Sequence, residues 1–206
     1  MEQIVGGNTA QLVGEALSDL EFSHKTYGET FYLMTLGVLR KSGYEDKIRL
    51  MISERIICNN QLDYGQSIKV IGQIRTYNED CGGKNKLNIV VFVKELECFS
   101  KEAEIPHENS VCLQGFVCKK PVRRTSPLGR EICDLMMAVN RMYNKSDYVP
   151  CIAWGRNAVY GETFTVGASL LVEGRIQSRE YKKRDEAGNE EYKTAYEVSV
   201  LKMEER

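Results

Sequence analysis

Gly65-Gln66-Ser67-Ile68-Lys69-Val70-Ile71-Gly72-Gln73-Ile74 has a counterpart in Gly167-Ala168-Ser169-Leu170-Leu171-Val172-Glu173-Gly174-Arg175-Ile176, roughly a hundred residues further along the chain. Both stretches alternate apolar and polar residues, and both place a glycine at the same point of the alternation. Moving outward, Leu12-Val13-Gly14 returns as Leu113-Gln114-Gly115, and Gly28 returns as Gly129. Residues 31–40 (FYLMTLGVLR) match residues 132–141 (ICDLMMAVNR), each ending in arginine, and Arg55 maps onto Arg156. One unit is therefore written twice. The polar stretch 100–110, which contains Pro106, separates the copies and predicts two domains, 1–105 and 106–206.

Within the second copy, residues 110–117, 130–141, 147–154, 169–181 and 192–203 read as strands, being rich in β-branched and apolar residues. Residues 155–164 read as a short helix between the third and fourth strands. On the fourth strand Leu170, Val172, Gly174 and Ile176 share one face, the expected core side. Gly188-Asn189 supplies turn chemistry for the last hairpin. Five strands with one helix suit a small closed barrel, of which the OB fold is the commonest form. The predicted fold class is all-β: two tandem five-stranded OB-fold barrels, each with a short helix between strands 3 and 4. Gly14, Gly72, Gly115 and Gly174 are expected to serve strand bending or close packing.

The chain has 206 residues, is 42% hydrophobic and 28% charged, and carries a formal net charge of −1. No apolar run is long enough for a membrane span, and the first residues, 1–7, do not read as a secretion signal. Seven scattered cysteines and two histidines, His24 and His107, offer no clustered zinc ligands. No metal or cofactor is expected. The cysteines read as small reduced residues on strands, which points to the cytoplasm. Residues 1–110 hold 12 Lys and Arg against 16 Asp and Glu, while residues 111–206 hold 16 against 13. Phosphate contacts are therefore expected in the second half. There is no phosphate-binding glycine loop, paired-carboxylate arrangement or nucleophile beside a base, so the chain does not read as an enzyme.

The second unit resembles the bacterial single-stranded DNA-binding proteins. The resemblance rests on Asn109 to Gly115, on Pro121-Val122-Arg123-Arg124-Thr125 (read as a turn) and on Met137-Ala138-Val139-Asn140-Arg141. It continues through Asp147-Tyr148-Val149-Pro150-Cys151-Ile152-Ala153-Trp154-Gly155-Arg156-Asn157-Ala158 and Val172-Glu173-Gly174-Arg175-Ile176. The resemblance implies an OB fold whose aromatic side chains stack on bases, at Tyr143, Tyr148, Trp154 and Tyr181. By strand parity Arg175, Gln177, Arg179 and Tyr181 face outward together, and Arg141 shares a parity with Tyr143. Rings beside cations are what sequence-tolerant binding of a single strand requires. Arg141, Arg156, Arg175, Arg179 and Lys182 are the expected phosphate contacts. The expected partner is single-stranded DNA, with RNA an alternative because stacking does not read the sugar. A homodimer gathering four OB folds is expected, in replication, recombination or repair.

Two departures from the family pattern stand out. The sequence ends at Lys202-Met203-Glu204-Glu205-Arg206 rather than in an acidic tail, so recruitment of partners through such a tail is not expected. The first unit holds Ser42, Lys47, Ser53 and Glu79 where the second has its four rings, which predicts weaker binding there unless Tyr44 and Tyr77 substitute. Two other readings share the fold: a primosome-type OB module acting through protein contacts, and a fragment of an OB-containing enzyme.

Overall fold

The computed structural model describes residues 7–60, 62–80, 85–100, 103–126, 128–184 and 190–206. The first unit contains β1 (Asn8–Ala16), β2 (Glu21–Thr26), β3 (Glu29–Leu39), β4 (Glu45–Ser53), α1 (Glu54–Ile57), β5 (Ser67–Asp80) and β6 (Asn85–Cys98). The second contains β7 (Glu108–Val117), β8 (Val122–Thr125), β9 (Glu131–Arg141), β10 (Lys145–Trp154), α2 (Arg156–Glu162), β11 (Ser169–Arg184) and β12 (Glu190–Glu205). These are two tandem OB-fold barrels with the expected helix in each.

Each barrel also has a sixth, short strand, β2 or β8. Residues 122–125, expected as a turn, pair antiparallel with β9 instead. This strand is brief, exposed and charged, and it follows a proline, all of which suit a sheet edge that must not recruit further strands. Gly188-Asn189, expected to turn the last hairpin, lie outside the described residues.

The strand order is β2-β3-β4-β6-β5-β1-β7-β11-β12-β10-β9-β8, closed within the barrels by β3–β1 and β7–β9. The order reads alike from either end because the units are joined about a pseudo-two-fold axis. Its centre is the antiparallel pair β1–β7, running from Asn8↔Leu113 to Val13↔Glu108. Alternation along β7 buries Val111, Leu113, Gly115 and Val117. Leu170, Val172, Gly174 and Ile176 of β11 are buried as expected. The repeated glycines mark close backbone approaches. A Cβ on Gly14 would lie 2.2 Å from the Gly37 carbonyl oxygen, and one on Gly115 would lie 2.4 Å from that of Ala138. Of the described cysteines only Cys133 and Cys151 are core residues. Burial pushes the Cys151 thiol up to about 12. No helix among the described residues is long and apolar enough to cross a membrane.

Several side-chain bonds repeat the two-fold relation. Asn8 clamps both backbone groups of Ile74, at 2.7 and 2.8 Å, as Asn109 clamps those of Ile176, at 2.7 and 3.0 Å. Across the junction, the fully buried Asp147 carboxylate accepts from the Thr76 backbone N–H at 2.6 Å, and the Tyr148 N–H donates to the Thr76 hydroxyl at 3.0 Å. Arg75 and Arg141 flank that carboxylate at 3.1 and 3.4 Å. In the mirrored place, buried Asp46 accepts from the Ser178 N–H at 2.8 Å, and the Lys47 N–H donates to the Ser178 hydroxyl at 2.9 Å. Arg40 grips Asp46 through two bonds of 2.6 Å, which raises its guanidinium pKa further.

Removing one carboxylate leaves a buried N–H and one or two arginines without their partner. Asp147→Ala is therefore expected to cost about 3 kcal/mol or more of stability in urea unfolding, well beyond an ordinary surface change. Stability within about 0.5 kcal/mol of the parent would show that the strap contributes nothing.

Candidate nucleic-acid interface

A groove of about 1040 Å³ lies on the outer face of the second barrel, where β8, β9, β10, β11 and β12 curve around it. Outward residues of β10 and β12 form its floor and Trp154 stands at one end. Five arginines line it (Arg40, Arg124, Arg130, Arg175 and Arg179), against two glutamates, Glu131 and Glu197. Asp46 and Asp134 hold Arg40 and Arg124, so Arg130, Arg175 and Arg179 against the two glutamates leave the groove weakly positive.

Trp154 owes its position to the residue after it. Gly155 adopts φ +56°, a left-handed conformation that ends β10 and opens α2. Its N–H is tied to the Glu131 carbonyl at 3.0 Å. The indole is left 37% exposed rather than packed in the core. Tyr148 is exposed on the same face of β10, about 20 Å away by strand rise. Tyr181 is partly exposed on β11, with the Arg179 guanidinium 5.9 Å from its ring centre. Tyr143 is 91% exposed at the β9–β10 turn. Both Tyr143 and Asn144 have positive φ there, 63° and 54°. Positive φ at consecutive residues is ordinary tight-turn geometry in a hairpin, and it leaves the Tyr143 ring in solvent.

The expected cations divide into two groups. Arg175 and Arg179 line the groove, and the Arg175 Nε is buried with no hydrogen-bond partner among the described residues. Arg156 is exposed between Gly155 and Asn157, which both line the groove. Arg141 is not in the groove, since it belongs to the buried strap on Asp147. Lys182 donates to Glu190 at 2.9 Å, which raises its ammonium pKa, and lies over Tyr192. Gln177 lines the groove but is nearly buried and donates to Glu197 at 2.7 Å.

Sequence reasoning overlooked Arg40 and Glu197 as groove residues, and it left Arg124 and Arg130 open between nucleic-acid contact and plain surface charge. Arg124 is bound to Asp134 at 2.6 Å, so much of its charge is spent inside the protein. Arg40 belongs to the first barrel, and no local pattern could have assigned it to a groove on the second.

The first barrel lacks the equivalent platform for structural reasons. Ser53, in the place of Trp154, caps α1 by accepting the Arg55 N–H at 3.2 Å and also bonds Glu29. Lys47, in the place of Tyr148, lies 3.8 Å from Glu180. Glu79 accepts from Asn88 at 2.9 Å.

Residues 108–204 match the model of the single-strand binding protein family. That match spans nearly the whole second barrel and none of the first. Among curated relatives, single-stranded DNA-binding protein 2 of Listeria innocua is 32% identical over 84 residues, which are 37% of this chain and 53% of the relative. Single-stranded DNA-binding protein A of Bacillus subtilis is 34% identical over 80 residues, covering 35% of this chain and 46% of that protein. The chain thus spans about half the length of the curated single-strand binding proteins it matches. The crystal structure of the wild-type single-stranded DNA binding protein from Thermus aquaticus aligns over 97% of this chain and 92% of its own, with a TM-score of 0.75 and 20% identity. At that identity the likeness concerns the fold, and it extends through both barrels.

Proposed function

We propose that this protein binds single-stranded DNA without strong sequence preference, along the groove of the second barrel, in replication, recombination or repair. The observation that carries the reading is the half-exposed Trp154 indole on a groove where arginines outnumber acids. Bases of any identity can stack on Trp154 in the groove and on Tyr148, Tyr181 and Tyr143 beyond its lining, while Arg175, Arg179 and Arg156 neutralise phosphates. Arg141 and Lys182 contribute less, because Asp147 and Glu190 already hold them. The names and function of the family relatives support the same reading. The second barrel is the principal site, and the first, without an equivalent platform, binds more weakly by itself.

We extend the proposal to assembly. Two chains associate isologously and gather four barrels, a two-fold pairing being the commonest closed arrangement. Sedimentation at micromolar concentration is expected to show a dimer, and a monomer contradicts the assembly.

Trp154 is the sole tryptophan and reports on its own site. Oligo-dT is expected to quench its fluorescence saturably, with duplex DNA much less effective because duplex bases already stack on one another. Affinity should fall with salt at a log–log slope of roughly −0.7 per phosphate contact. Trp154→Ala should weaken binding by about 1–3 kcal/mol with little change in melting, whereas loss of a core tryptophan would cost about 3–5 kcal/mol of stability. Tryptophan emission unmoved by a strand that demonstrably binds would remove Trp154 from the site.

A further inference from the structure

The first barrel reaches into the groove of the second. The β3–β4 turn, closed by the Arg40 N–H to Tyr44 carbonyl bond of 2.8 Å, carries two side chains across the junction. Both Arg40 and Tyr44 line the groove that contains Trp154 and Arg179. The Tyr44 hydroxyl donates to the Ser178 carbonyl of β11 at 3.3 Å, one residue from Arg179. The Arg40 guanidinium lies 4.6 Å from the Tyr44 ring centre, and Asp46 fixes that guanidinium in turn. The ring is thus held from its edge and beside one face, yet remains 44% exposed. An aromatic surface fixed in advance loses little conformational freedom when a base stacks on it.

The pseudo-two-fold relation provides an internal comparison. Since Asp46 corresponds to Asp147, the place of Tyr44 is taken in the second unit by Lys145. Lys145 is exposed at the start of β10, and Ser53 stands in the first barrel where the second has its tryptophan. The second unit has no ring at the register of Tyr44, although its turn carries Tyr143 two residues earlier, at the place of Ser42. A residue needed only for docking the barrels would be expected on both sides, as Asp46 and Asp147 are.

We propose that Tyr44 of the first barrel, seated by Arg40 and Ser178, is a base-stacking residue of the groove on the second barrel. A single strand lying in that groove passes from Trp154 over the β11 arginines onto Tyr44, and the first barrel takes part in binding without a platform of its own. This rests on the single-strand reading given above.

The test uses the full chain and oligo-dT, with Tyr44→Ala, Tyr44→Leu, Tyr44→Phe and Trp154→Ala measured beside the parent. Tyr44→Phe keeps the ring and loses only the bond to Ser178, so it should bind within about twofold of the parent. Tyr44→Ala and Tyr44→Leu should each bind about fivefold or more weakly, the scale of one lost stacked base. Leucine keeps bulk against the junction, so it remains informative if the alanine variant folds poorly. Leucine binding like the parent overturns the inference, as does an affinity in Tyr44→Phe that falls as far as in Tyr44→Leu. If Trp154→Ala weakens binding while Tyr44→Leu does not, only this inference fails. If the parent does not bind oligo-dT, the functional reading fails and this inference with it.

Discussion

Two buried carboxylates, Asp46 and Asp147, hold the architecture together. Each sits at the start of a strand in one barrel and accepts a backbone N–H from a strand of the other, with arginines neutralising it. A buried carboxylate is costly unless its charge and lone pairs are all engaged. The engagement requires both barrels at once, so the penalty for separation falls on the junction. The β1–β7 pair fixes the register of the two halves, and the reciprocal carboxylates fix how the hairpins beyond it cross. The strap also places the β3–β4 turn, and with it Tyr44, on the rim of the opposite groove.

On this nearly symmetric frame the two outer faces have diverged. The residues that make the frame are kept in pairs: Asn8 with Asn109, Gly14 with Gly115, Thr76 with Ser178, Asp46 with Asp147. The residues that make the groove are not. Where the second barrel presents Trp154, the first uses Ser53 to cap a helix of four residues. Packing and hydrogen-bond constraints act on both barrels alike, whereas the outward positions between them are free to differ. That freedom lets Trp154, Arg175 and Arg179 stand together on one groove of the second barrel.

The repeat was legible in the sequence because close backbone approach forces glycine, and a half-buried strand forces alternation, at the same places in each unit. The motif around Trp154 was legible because a strand, a left-handed glycine and a helix must follow one another there. Arg175 and Arg179 could be read from strand parity. Arg141 has the same outward character but folds onto Asp147 of its own hairpin, whose carboxylate the other barrel's Thr76 engages, an arrangement that parity cannot reveal. The strap itself was illegible for the same reason: Asp46 and Asp147 resemble ordinary polar residues at strand starts, and their partners lie far away in sequence. Strand β8 looked like a turn because its proline and exposed charges suit either role, and only pairing with β9 distinguishes them.

On the proposed function, a single strand follows one asymmetric path, on the second barrel and the edge of the first. Ultraviolet crosslinking of the full chain to oligo-dT, followed by mass-spectrometric mapping of the attached peptides, maps that path. Adducts are expected on peptides containing Tyr148 and Trp154, and on the peptide containing Tyr44, with none on the β2–β3 hairpin of the first barrel. Adducts concentrated on that hairpin, at Phe22 or Tyr27, with the Trp154 peptide unmodified, would contradict that path.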